Sequence, residues 1–140
     1  MPMKTCLVGL DGSEPSVRAL ERALGEAENG ATILAVYVVE ALTFFDAATP
    51  DTETTFHRIH QEAGKILAQA EALAAQYGVS IRTRAEAGRP AETLARIARQ
   101  EALDEIIVGS RGKDEVQNLL LGSVSARLVQ IAPCTVVVVR

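Results

Sequence analysis

Between Glu105 and Ser125 the chain reads EIIVGSRGKDEVQNLLLGSVS, and its chemistry is concentrated there. Gly109 and Gly112 bracket Ser110 and Arg111, so the backbone can turn sharply and approach a ligand with no Cβ in the way. Further on, Gly122-Ser123 opens a helical pattern, with Ser123 expected as its N-cap. A helix N-terminus offers N–H groups without intrahelical acceptors and the positive end of a dipole, a pairing suited to phosphate. The amides around Gly122, Ser123, Val124 and Ser125 are the expected phosphate contacts, together with the Ser123 and Ser125 hydroxyls. Gly109 and Gly112 would bring the loop backbone to the ribose and first phosphate, and Arg111 would add charge-assisted bonds. A divalent ion, Mg2+ or Mn2+, would bridge phosphate oxygens rather than occupy a protein cage.

A plainer reading stands beside this one. Glycines after a parallel strand serve the turn itself, and Ser123 would cap its helix with or without a ligand. Asp11-Gly12 is a favoured turn pair, which gives Asp11 a structural role of its own. Lys113 follows Gly112, but Ile107 stands where a Walker A loop needs glycine. Nor is Gly109-Ser110-Arg111-Gly112 a Gly-x-Gly dinucleotide fingerprint. His57 and His60 lie three apart in a helical stretch, a metal pair with no third ligand nearby in sequence, and read as a solvated helix start. Neither can be set beside a serine or carboxylate, so no nucleophilic triad is expected.

The elements that must hold these residues follow from hydrophobic periodicity. Thr5 to Leu10 is apolar on both faces, as a central parallel strand should be. Ser13 caps a helix whose early Pro15 needs no donor; Val17, Leu20, Ala23, Leu24 and Ala27 follow a helical spacing, and Asn29-Gly30 ends it. Thr32 to Val39 is a second continuous strand. Glu40 to Thr55 is polar and turn-rich, expected as a flap over a pocket or a mobile connection, with Phe44 and Phe45 favouring docking. Phe56, Ile59, Ala63, Ile66, Leu67, Ala70, Leu73, Ala74 and Tyr77 line one face of a long helix that Gly78 stops. Val79 to Glu86 alternates, and its charges at Arg82, Arg84 and Glu86 mark a sheet edge open to water. Gly88-Arg89-Pro90 starts a helix with Leu94, Ile97 and Ala98 inward. Then come strand Glu105 to Val108, a helix carrying Val124, Leu128 and Ile131 to a stop at Pro133, and strand Thr135 to Val139.

Five strand signals separated by four helix signals give a doubly wound five-stranded parallel α/β sheet. The charged third strand and the last strand fit best as edges, so the order is 3-2-1-4-5 in a single domain, residues 1–140. Its switch point lies between strands 1 and 4, where ligands bind at the carboxyl ends of strands. Asp11 and Gly109 therefore converge on one crevice.

Composition sets the outer bounds. The chain has 140 residues, 48% hydrophobic and 23% charged, with a net charge of −4 and no basic stripe, which argues against nucleic acid. No 18-residue apolar run is present, so no membrane insertion is expected. MPMKTCLVGL enters a strand pattern without a signal-peptide cleavage region, so the expected location is cytoplasmic. Cys6 and Cys134, on strands separated by a third, read as buried, reduced packing residues. Val136 to Val139 at a sheet edge, without proline or inward charge, is an unprotected pairing template, and a homodimer through this strand is the expected cover.

Gly109-x2-Gly112-x9-Gly122-Ser123 resembles the G-x2-G-x9-G-[S/T] motif of the ATP-binding branch of the universal stress protein family. The resemblance covers nearly the whole chain, from Leu10-Asp11-Gly12-Ser13 through Gly88-Arg89-Pro90 to the valine strand after Ala132-Pro133-Cys134. It implies ATP as ligand, Asp11 near the adenosine, Val38 lending backbone contacts to the adenine, and dimerisation through the last strand. It also implies a nucleotide-dependent sensor or regulator in the stress response. Binding would order the spacer between Lys113 and Leu121 and the Glu40 to Thr55 flap, altering a surface that a protein partner reads. Two alternatives remain: a slow ATPase or autophosphorylating enzyme, for which no general base is evident at the γ-phosphate, and a structural dimerisation module without nucleotide. Tyr37 stands where the family frequently has histidine, and Thr135 replaces the proline usual after the Cys134 position.

Overall fold

A computed structural model describes residues 3–40, 52–112 and 121–140. The elements are β1 (Thr5–Leu10), α1 (Glu14–Ala27), β2 (Thr32–Val39), α2 (Thr52–Gln76), β3 (Arg82–Ala87), α3 (Pro90–Gln100), β4 (Glu105–Gly109), α4 (Ser123–Ile131) and β5 (Thr135–Val139). The strands form one parallel sheet in the order β3-β2-β1-β4-β5, as their apolar character and edge charges predict. β1 is central and pairs with β2 along its length, Thr5 opposite Thr32 through Leu10 opposite Tyr37, and with β4 from Cys6 to Val8.

Because successive strand residues face opposite sides, each buried strand feeds two cores. Cys6, Val8 and Leu10 pack with Ala19, Leu20, Ala23 and Leu24 of α1 and with Ala70 and Ala74 of α2. On the other face Leu7, Val36, Ile106 and Val108 meet Leu94 and Ile97 of α3 and Leu128 of α4. Leu128 is fully buried and anchors the short α4; truncating such a leucine to alanine costs about 2–5 kcal/mol.

Several local expectations shift. α2 begins at Thr52 rather than Phe56, since Thr-Glu-Thr-Thr, β-branched and polar, conceals a helical first turn from a periodicity reading. Tyr77, read as part of its buried face, is 39% exposed just past the helix, with its hydroxyl donating to Glu21. β3 starts at Arg82, so Val79 and Ile81 reach the core from the preceding connection. Its charges lie on an edge strand as expected, and they are paired: Arg82 and Arg84 both reach Glu101, and Glu86 receives Arg84 and Arg96. Cys134 is half-buried instead of buried, because it precedes an edge strand; Cys6 is fully buried, and both thiols are free. The expected flap falls outside the described residues at positions 41–51, as does the spacer at 113–120. Among the described residues no helix is long and apolar enough to cross a membrane.

Candidate functional site

At the carboxyl end of the sheet, β1 and β4 send their chains to opposite faces, and a crevice opens between the departing loops. It is a cavity of about 480 Å³, within the range of small-molecule and cofactor sites. Asp11, Val38, Gly109, Arg111, Gly112, Gly122, Ser123, Val124 and Ser125 all line it, so the residues expected around a nucleotide meet in one space.

The β1–α1 turn is built around Asp11. Its Oδ1 accepts from the Ser13 N–H at 2.9 Å and from the Ser13 hydroxyl, which leaves Oδ2 outside these bonds. Ser13 caps α1, its hydroxyl oxygen accepting from the Ser16 N–H at 3.3 Å. Gly12 has φ +82, a left-handed conformation that a side chain would strain. Asp11 thus holds the turn and faces the cavity at once.

The end of β4 is shaped by packing. A Cβ on Gly109 would lie 2.6 Å from the Pro15 Cβ and 2.9 Å from the Ser16 nitrogen. The glycine is required because α1 docks directly on the strand end, and its φ is not among the positive ones. Beyond it, the Ser110 N–H donates to the Val139 carbonyl at 2.7 Å, and the Gly122 N–H donates to the Ser110 carbonyl. The two halves of the glycine motif are therefore hydrogen-bonded to each other.

The N-cap of α4 is Gly122, not Ser123; its backbone is extended, at φ −75 and ψ 171, and no side chain caps the helix. Ser123 is the first helical residue, one position past the N-cap, from which a hydroxyl would accept from the amides of the second and third helical residues. Ser125 is 2% exposed and donates its hydroxyl to the Ser110 carbonyl at 3.0 Å and to the Gly122 carbonyl at 3.1 Å. Its single proton is committed to the main chain, so Ser125 offers a phosphate its amide and not its hydroxyl. The Ala126 N–H makes the first helical bond, to Gly122. The amides of Val124 and Ser125 lie ahead of it, in the turn that has no intrahelical acceptors.

Val38 closes the opposite wall. The Val39 carbonyl accepts from the Gly88 N–H at 2.8 Å on the β3 side. Alternation along a parallel strand then turns the Val38 carbonyl toward β1, which has already ended at Leu10. It faces the crevice as an acceptor.

Glu62 is a wall residue that escapes a sequence reading. Tyr37, Glu62 and Pro90 also line the cavity, and Glu62 lies on α2 with nothing in its local pattern to mark it. The Tyr37 hydroxyl bonds Glu62, and burial, then the charge of Glu62, pushes the phenol up to about 12. Asp11, Glu40 and Glu62 set three carboxylates around the cavity against the guanidinium of Arg111. Among the described lining residues, Arg111 is the cation that an anionic ligand would meet. His57 and His60 are both exposed on α2, with His57 Nε2 3.2 Å from the Gln61 side-chain nitrogen, and they lie apart from the cavity lining.

Residues 2–140 match the family described as the universal stress protein family. A universal stress protein from Thermus aquaticus is 38% identical over 142 residues, covering 98% of each chain. Among solved structures, universal stress protein UspA from Lactobacillus plantarum superposes with a TM-score of 0.82 at 25% identity, covering 100% of this chain and 99% of its own. A universal stress protein solved in complex with cAMP gives a TM-score of 0.70 at 26% identity, covering 100% of this chain and 98% of its own.

Proposed function

The chain belongs to the universal stress protein family, and from that premise we propose that it is an ATP-binding member that acts as a nucleotide-dependent regulator in the stress response. The observation that carries this reading is the convergence of Asp11, Val38, both ends of the glycine motif and the uncapped N-terminus of α4 on one cavity. The cAMP complex of a relative 26% identical supports an adenine nucleotide as the ligand class.

The Val38 carbonyl would receive the adenine amino group, and Asp11 Oδ2 a ribose hydroxyl. The amides of Val124 and Ser125 would hold phosphate oxygens with Arg111, while Gly112 and Gly122 keep the cradle open and Gly109 lets α1 dock beside it. Mg2+ or Mn2+ would bridge the phosphates and offset the surrounding carboxylates. The protein would act in the cytoplasm as a homodimer through the Val136–Val139 edge, its nucleotide state read by a protein partner.

Denaturing the purified protein and analysing the released small molecules tests occupancy, and calorimetry with ATP, ADP and cAMP, with and without Mg2+, tests affinity. One nucleotide per chain is the expected result; no heat at millimolar ATP ends the reading. Gly122→Val should lower affinity more than tenfold with the fold kept, because Gly122 already sits in the extended conformation that valine prefers while its missing side chain leaves the cavity open. Single-turnover product analysis separates plain binding from hydrolysis or autophosphorylation.

A further inference from the structure

At the end of the sheet opposite the crevice, the starts of β1 and β4 and the last turn of α1 bring Lys4, Cys6, Glu26 and Glu105 together. Lys4 Nζ lies 2.8 Å from Glu26 Oε2 and 2.8 Å from Glu105 Oε2. Cys6 Sγ and one carboxylate oxygen from each glutamate all lie within 4.8 Å of one another. Glu105 is 5% exposed, and its Oε1 is buried with no hydrogen-bond partner.

The charge balance is incomplete. Two carboxylates share one ammonium, and the deeper of them keeps an oxygen with no donor, an arrangement that a buried ion pair needs further bonds to offset. A cation of higher charge would satisfy both carboxylates and that oxygen together. The third donor is a thiol, and thiolate selects zinc-like ions over Mg2+ and Ca2+.

We propose that this cluster binds one zinc-class divalent ion through Cys6 Sγ and the carboxylates of Glu26 and Glu105, with the Lys4 ammonium swung aside and water as the fourth ligand. Mixed sulfur and oxygen donors with one open position fit four-coordinate zinc, at about 2.3 Å for sulfur and about 2.0–2.2 Å for oxygen. Lys4 can yield, because its side chain is 43% exposed; Glu26, 25% exposed on the helix end, can adjust its rotamer to close the site. On binding, the Cys6 S–H bond breaks, the sulfur–metal bond forms and the proton leaves to solvent. A cysteine thiol carries its proton near pH 7, so each ion bound displaces about one proton.

Chelator-treated, reduced protein titrated with Co2+ tests this. One equivalent should bind with a thiolate-to-cobalt charge-transfer band, release about one proton, be displaced by equimolar Zn2+ and ignore millimolar Mg2+. Cys6→Ser should abolish the band, Cys134→Ser should keep it, and Glu26→Gln should weaken Zn2+ about tenfold while circular dichroism is unchanged. No band in the unaltered protein, a band lost in Cys134→Ser, or an unchanged Zn2+ affinity in Glu26→Gln overturns the proposal. Should Cys6→Ser fail to fold, the Cys134→Ser and Glu26→Gln variants decide it.

Discussion

The hydroxyl of Ser125 donates to the carbonyl of Ser110 at 3.0 Å, across 15 residues of sequence. With the Gly122 N–H donating to the same carbonyl, it fixes the mouth of α4 to the end of β4. The position of the uncapped amides is therefore set by two bonds to one main-chain oxygen.

Removing one of those bonds should be felt at both levels. Ser125→Ala strips a buried hydroxyl that serves two carbonyls and should cost about 1–2 kcal/mol, or about 3–7 °C in Tm. Nucleotide affinity should fall with it, since the amide cradle loses its tether. Urea melts and ATP calorimetry on the same samples measure both; unchanged stability would mean that the Gly122 N–H alone holds the loop.

Gly109→Ala places a methyl against Pro15 and Ser16. Overpacking of this kind costs about 1–3 kcal/mol, and the strain falls on the turn that orients Asp11. Chemical denaturation should show the loss, and a stability equal to that of the unaltered protein would show that α1 moves away freely.

The dimer has a prediction in the alternation of β5. The Val139 carbonyl accepts from the Ser110 N–H, so Val137 and Val139 direct their main-chain groups to β4, and Val136 and Val138 direct theirs to the open edge. Val138→Pro removes an outward N–H and spares the β4–β5 ladder, a setting in which a strand tolerates proline. Light scattering should show a dimer at micromolar concentration becoming a monomer. A dimer that survives the substitution places the interface elsewhere.

Asp104 links the starts of the two central strands, accepting from the Thr5 N–H at 2.8 Å and the Thr5 hydroxyl at 3.0 Å. Those bonds, the backbone one first, hold its carboxyl below the ordinary range. A carboxyl lowered in the folded state stabilises above its unfolded value of about 3.9 and loses that contribution as pH falls through the folded one. Asp104→Asn should therefore melt lower than the unaltered protein near neutrality, with the gap closing as pH falls below the unfolded value. Thermal melts across that range check the sign.

Much of this was legible in the residues themselves. β1, β2 and β5 are continuous apolar runs of strand length, Ser13 and Pro15 mark a helix start, and Gly78 marks a stop; each signal is local, arising from period, cap or turn chemistry. The spacing of Gly109, Gly112 and Gly122 pointed to the cavity for the same reason: a strand, a turn and a helix mouth follow one another along the chain. What local signals could not give was the partner of each group. Ser125 reads as a phosphate donor until the sheet carries the Ser110 carbonyl beneath it, and Gly109 reads as a ligand cradle until α1 is packed on it. Glu62 and the Lys4–Glu105 cluster have no motif at all, because their neighbours come from separate elements. Hydrogen bonding and charge compensation act over a few ångströms in space, and only the folding of β1 between β2 and β4 decides which distant residues fall within that reach.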